Sequence, residues 1–188
     1  SILVIIIILI LSINNKFNRP NKDYSEIFDI TTNKNNVIVT SYKDFEYFSL
    51  KIPNDFVLMK EEDIQIKYPS DNGPSIVYAN EDASINVNVK ITDTTLKNNE
   101  VKESVKDLEK VFKKIDENVD VNFFTLRGHT IGEIKLISKA VDTNIYNHML
   151  TFSVNDKMAI ISFNCPEYKM DEWKDVSDFI MKSLKFNE

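Results

Sequence analysis

The chain has 188 residues and a net charge of −6, which gives it one domain's length and too little positive field to grip nucleic-acid phosphates or an anionic lipid surface with its folded part. A single cysteine, Cys165, excludes an internal disulfide, and there is no Asn-x-Ser/Thr acceptor, so nothing points to a glycosylated secretory route. Three glycines in all are too few for a Gly-rich phosphate loop or a Gly-x-Ser-x-Gly elbow.

Ile2 to Ile13 is an almost unbroken aliphatic run, followed at once by polar, Asn- and Lys-rich sequence. As a helix it covers roughly 18 Å of a ~30 Å hydrocarbon core, the length of a signal-peptide apolar region. Residues 1–13 are therefore read as a signal or membrane-anchor segment, cut short at its start, since no Met and no basic leader precede it. Ser12, Ile13 and Asn14 do not form a small-x-small cleavage site, which favours an uncleaved anchor. Lys16, Arg19 and Lys22 pull toward cytoplasmic retention. Even so, the expectation is an extracytoplasmic domain, with a cytoplasm-facing regulator as the competing topology. Residues 14–44 read as a polar tether with isolated apolar islands at Ile27, Phe28 and Ile30; Val37 to Thr40 is either its end or a first edge strand.

The folded domain is placed at residues 45–188. Phe48, Leu50 and Ile52 alternate with Ser49 and Lys51, the period of a half-buried strand, and Pro53-Asn54-Asp55 ends it. Ile64 and Ile66 suggest a second short strand closed by Tyr68-Pro69, and 70–74 is a loop. A third strand covers Ile76 to Tyr78. The clearest strand follows, with Ile85, Val87, Val89 and Ile91 alternating with Asn86, Asn88 and Lys90. Val101, Val105, Leu108, Val111, Phe112 and Ile115 recur at helical spacing, with Glu103–Lys106, Asp107–Lys110 and Glu109–Lys113 pairs on the outer face. A β region comes next, with strands over Val119 to Leu126, Thr130 to Ala140, Asn144 to Val154 and Met158 to Asn164. Arg127-Gly128-His129, Asp142-Thr143 and Asn155-Asp156-Lys157 are the turns. Met170, Trp173, Val176, Ile180 and Leu184 mark a C-terminal amphipathic helix. Strands, helix, four-stranded meander, helix, with no βαβ rhythm, predict an α+β fold: a largely antiparallel sheet covered by helices.

This order resembles the PsbP-like superfamily, which includes the photosystem II extrinsic protein PsbP, a Ran guanine-nucleotide release factor and the bacterial envelope protein DcrB. The resemblance rests on Phe48-Ser49-Leu50-Lys51-Ile52-Pro53 followed by Phe56, and on Tyr68-Pro69. It also uses the strand Ser84 to Thr92 before a helix, Gly128 between strands, and the Trp173 helix ending in Ser183-Leu184. It covers Tyr47 to Glu188 and implies an α/β/α sandwich serving as a non-catalytic scaffold for binding or assembly. The chain departs from lipidated relatives in having no N-terminal cysteine, and no binding residue carries over.

Candidate chemistry is sparse. His129 is expected in a solvated turn, and His148, on a strand face with Tyr146, Leu150, Phe152 and Val154, as a partly buried, hydrogen-bonded ring. Two histidines with no short-range partner do not make a zinc motif, so no metal or other cofactor is expected. Cys165 reads as a semi-buried thiol; the enzyme alternative, a hydrolase or transferase, needs it beside His129 or His148. Tyr68 and Tyr78 flank an irregular loop, and with Arg127 and His129 they form the candidate binding surface. The expected partner is another protein, with the membrane held through residues 2–13 and no nucleic acid. No catalytic residue is assigned.

Overall fold

The computed structural model describes residues 28–31, 37–70, 73–140 and 142–187. The aliphatic segment 2–13 and most of the expected tether lie outside the described residues.

The strong alternations become a seven-stranded antiparallel sheet. Its strands are β4 (Val57–Leu58), β5 (Ile76–Ala79), β6 (Asn86–Thr95), β7 (Asp120–Leu126), β8 (His129–Lys139), β9 (Asn144–Val154) and β10 (Lys157–Pro166), ordered β4-β5-β6-β10-β9-β8-β7. A smaller sheet, ordered β1-β2-β3-β11, is built from β1 (Phe28–Thr31), β2 (Val37–Asp44), β3 (Phe48–Pro53) and β11 (Lys185–Phe186). Tight turns join β7 to β8 and β9 to β10. Arg127 and Gly128 have φ of 48° and 85°, and Asn155 and Asp156 have 48° and 57°, the left-handed pairs that two-residue hairpins require. His129 is therefore the first residue of β8 and not part of the turn.

Because successive strand residues point to opposite faces, each central strand feeds two cores. On one face Val87, Val89, Leu150, Phe152, Ile161 and Phe163 pack with β3 and with helix α3 (Met170–Lys182), through Leu50, Val176 and Ile180. On the other, helix α2 (Val101–Phe112) lays Val101, Val105, Leu108 and Phe112 over Ile134, Leu136 and Met149. Gly132 makes that approach possible: a Cβ there would lie 2.9 Å from Val105 Cγ1. A third cluster sits under helix α1 (Glu61–Lys67), where Ile64 and Tyr68 cover Val77 and Ala79.

Three elements differ from the sequence expectation. Ile64 and Ile66 are helical, in α1, and do not form a strand. Ile64 is buried and Ile66 is half exposed, so the two never shared a face. Glu61, Glu62 and Asp63 at the helix N-terminus favour the helix through its dipole. Second, Val37–Asp44, in the segment read as a tether, is a full strand paired with β3, and Phe28–Thr31 pairs outside it. Its two fully buried positions are the adjacent polar residues Thr40 and Ser41, one on each face, so no apolar alternation marks the strand. Third, β11 is only two residues long, too short for periodicity to reveal.

Candidate functional site

The structure divides the four candidate surface residues. Tyr68 is only 2% exposed. Its hydroxyl donates to Asn86 Oδ1 at 3.3 Å and accepts from Asn88 Nδ2 at 3.2 Å, and burial raises its phenol above the ordinary value, the asparagine hydrogen bonds opposing. It is a core hub between α1 and the sheet, so it leaves the binding surface. The reason is directional: the C-terminal turn of α1 aims it inward, where a strand would have allowed it outward. Tyr78 is half-buried against the first core. His129 is partly buried too. Its ring stacks on Phe186 with centroids 3.8 Å apart, and Nδ1 lies 3.3 Å from the Ser153 carbonyl, so it is a packed side chain and not a solvated one. Arg127 is exposed. Tyr78 on β5 and His129 on β8 are separated by four strand steps, about 19 Å at ordinary spacing, so the set does not form one patch.

The structure instead gathers charges around His148, which is fully buried where the sequence predicts a partly buried, hydrogen-bonded ring. Its Nε2 lies 2.8 Å from Glu133 Oε1, and its Nδ1 lies 3.0 Å from Ser177 Oγ and 3.5 Å from Asp178 Oδ1. Lys135, directly opposite His148 in the β8–β9 register, bridges Asp178 at 2.8 Å and Glu133 at 3.7 Å. The His148 hydrogen bond holds Glu133 below the usual carboxylate range, against the opposing effect of burial. Burial pulls Lys135 down, but Asp178 and Glu133 more than offset it and leave its ammonium raised. The cluster ties β8 and β9 to α3. The sequence held one signal for it that went unused: on β8 the charges Glu133 and Lys135 share a face with the apolar Ile131 and Ile137, so that face cannot be wholly core.

Glu133, His148 and Asp178 offer ligand atoms all within 4.8 Å of one another, a spacing that invites a metal ion. The orientation does not fit one. Glu133 addresses Nε2 and Asp178 addresses Nδ1, so no single ring nitrogen shares an ion with both carboxylates, and the Lys135 ammonium already bridges them. The enzyme alternative fares no better. Cys165 is fully buried opposite Tyr146, whereas His148 lies opposite Phe163. Burial pushes the thiol up to about 12, with Lys169 pulling weakly back, and among the described residues it hydrogen-bonds to neither imidazole. A thiol held neutral and a ring engaged on both sides do not make a nucleophile and base.

Among the described residues the surface opens into recesses, of which two stand out. The larger is a groove of about 860 Å³ between α1 and the second half of β6. Strand β5 stops at the Ile76–Val89 pair, while β6 continues to Thr95 against β10. Among the described residues no strand covers Ile91–Thr95 on the β5 side, and Leu58, half exposed, walls the groove. The smaller is a cleft of about 460 Å³ between β8, the turn that follows α2 and the start of α3, with Tyr146 in its lining. Among the described residues no helix is long and apolar enough to cross a membrane.

No family model and no curated protein matches the sequence. Solved structures do match. Cyanobacterial PsbP (CyanoP) from Synechocystis sp. PCC 6803 superposes with a TM-score of 0.57 at 10% identity, over 84% of this chain and 94% of that one. A protein from Bacteroides thetaiotaomicron VPI-5482 gives 0.49 at 12% identity, over 75% of this chain and 45% of its own. LpqN of Mycobacterium tuberculosis, described as involved in cell envelope biogenesis, gives 0.47 at 11% identity, over 82% and 94%. At such identities the likeness speaks to fold alone, and the first match carries it. The chain has a PsbP-like α+β fold, with a large antiparallel sheet and, among the described residues, three α-helices.

Proposed function

We propose that this chain is a non-catalytic binding or assembly module of the bacterial cell envelope, held at the membrane by residues 2–13 and grasping a protein partner through the groove beside β6. The observation that carries the reading is the uncovered edge at Ile91–Thr95. An open edge presents unpaired backbone N–H and C=O groups, and an extended segment of another protein satisfies them by adding a strand. Ser75 N–H donates to the Val89 carbonyl, so by alternation the backbone groups of Ile91 point to the same open side, just before the register against β10 shifts between Ala159 and Lys157. The half-exposed Leu58 supplies an apolar wall for alternate side chains of the partner. The PsbP-like scaffold and the inert setting of Cys165 fit a module that grips its partner without chemistry.

The test is capture of partners from envelope extracts by wild type and by Leu58→Asp, which puts a charge on the half-exposed wall of the groove and should leave the fold intact. If Leu58→Asp retains every partner that the wild type captures, the groove assignment is wrong. The tether is tested separately, by comparing membrane fractionation of the chain with and without residues 2–13 and by protease accessibility in intact cells.

A further inference from the structure

Among the described residues the large sheet ends on β4 at one side and on β7 at the other, and the two edges are finished differently. β4 is two residues long, too short to template another chain. β7 runs for seven residues, Asp120–Leu126, in unbroken register against β8. It has no Pro, no Lys or Arg and no bulge, the features that ordinarily keep an edge from pairing, and its one charge, Asp120, stands at its end. Val121, Phe123, Phe124 and Leu126 are apolar, and Phe124 is 40% exposed. The described helices leave this edge clear: α2 is seated over β8 and β9, and α3 over β9, β10 and β3.

The hairpin sets which backbone groups face outward. Arg127 and Gly128 form a two-residue loop, so Leu126 and His129 are the hydrogen-bonded pair that closes it. By alternation Phe124, Asn122 and Asp120 also bond to β8, while the N–H and C=O groups of Val121, Phe123 and Thr125 point away from the sheet. No described strand takes them up.

We infer that β7 is a self-association edge: two copies of this chain pair antiparallel through Asp120–Leu126 about a two-fold axis at Phe123, joining their large sheets into one. An axis normal to the sheet keeps every side chain on its own face, so a residue meets only residues of its own alternation. Centring on Phe123 brings all the outward groups into use, with Phe123 opposite its own copy and Val121 opposite Thr125 of the second copy, each pair exchanging both hydrogen bonds. On the other face Asn122 stands opposite Phe124, and Asp120 opposite Leu126. The two Asp120 carboxylates lie at opposite ends of the pairing, so no like charges meet. One strand from each copy makes a small interface, so the dissociation constant belongs in the micromolar-to-millimolar range. The β6 groove lies toward the other end of the strand order, so the dimer leaves it open and does not rest on that assignment.

The test follows the full chain, in a mild detergent, by sedimentation velocity and by residue-resolved amide hydrogen exchange as its concentration is raised. The mass should move from one chain toward two. The Val121, Phe123 and Thr125 amides should gain protection severalfold, while those of Asn122 and Phe124, already held by β8, should not change. Asn122→Asp with Phe124→Asp, both at exposed positions, sets carboxylates directly opposite each other twice and should weaken dimerisation about tenfold at unchanged thermal stability. Asn122→Lys with Phe124→Glu sets opposite charges across the same two contacts and should restore dimerisation to near wild-type strength. A chain that stays single across that concentration range, association that ignores both charge pairs, or protection gained only elsewhere would overturn the assignment. Association through residues 2–13 alone would show itself by the last two results.

Discussion

His148 Nε2 and Glu133 Oε1 lie 2.8 Å apart, on neighbouring strands and beneath α3, in contact with a ring that solvent does not reach. Ser177 and Asp178 close the other edge of the ring, so one side chain fastens the sheet to the helix. Replacing His148 by Leu strips Glu133 and Ser177 of a partner at once. We expect a loss of about 2 kcal/mol in urea unfolding, the range for leaving buried hydrogen-bonding groups without their partner. In a double-mutant cycle with Glu133→Gln the two changes should be clearly non-additive; additivity would mean that the contact does not contribute.

The same pair makes stability pH-dependent in a defined direction. Glu133 is depressed in the folded state, chiefly by the His148 hydrogen bond. A depressed carboxylate stabilises the fold above its unfolded value, about 4.3, and that contribution disappears as pH falls through the lower folded value. Wild-type unfolding free energy should therefore fall with acidification below about pH 5, and Glu133→Gln should flatten that slope. A variant as acid-sensitive as the wild type would remove Glu133 as the source.

Gly132 and Val105 form the tightest helix–sheet approach. A Cβ at 132 would press against both Val105 methyl groups. Gly132→Ala should cost about 2 kcal/mol through overpacking, and Val105→Ala in the same chain should recover part of it despite being destabilising alone. Thermal denaturation of the two single variants and the double variant reads this out; strictly additive losses would contradict the contact.

Cys165 should be chemically silent in the native protein. With the thiol fully buried and raised to about 12, a disulfide reagent should label it at neutral pH only as fast as the chain opens, and rapidly once the chain is unfolded. Fast native labelling would revive a nucleophilic role.

The sequence expectation succeeded where a period ran long enough. Asn144–Val154 matches its expected bounds, and the strands around Val89 and Ile161 and the helices at Val105 and Val176 all lie where the alternation or helical spacing put them. It failed where two residues carried the whole signal, as with Ile64 and Ile66, or where buried positions held hydroxyl side chains, as with Thr40 and Ser41. For the site, a hydrogen-bonded ring at His148 was legible from its face-mates, but its full burial was not. Tyr68 was not, since a loop-flanking tyrosine points inward or outward according to the element that carries it.

What the sequence determined by itself was the antiparallel α+β layout and the absence of a catalytic signature, because periods of two and 3.6 residues and motif spacings are local properties. Only the tertiary structure decided that His148 meets Glu133 and that Lys135 meets Asp178, pairs 15 and 43 residues apart. It likewise decided that β6 outruns β5. Those relationships depend on strand register and on where α3 seats, quantities set by the packing of the whole core and carried by no single stretch of chain.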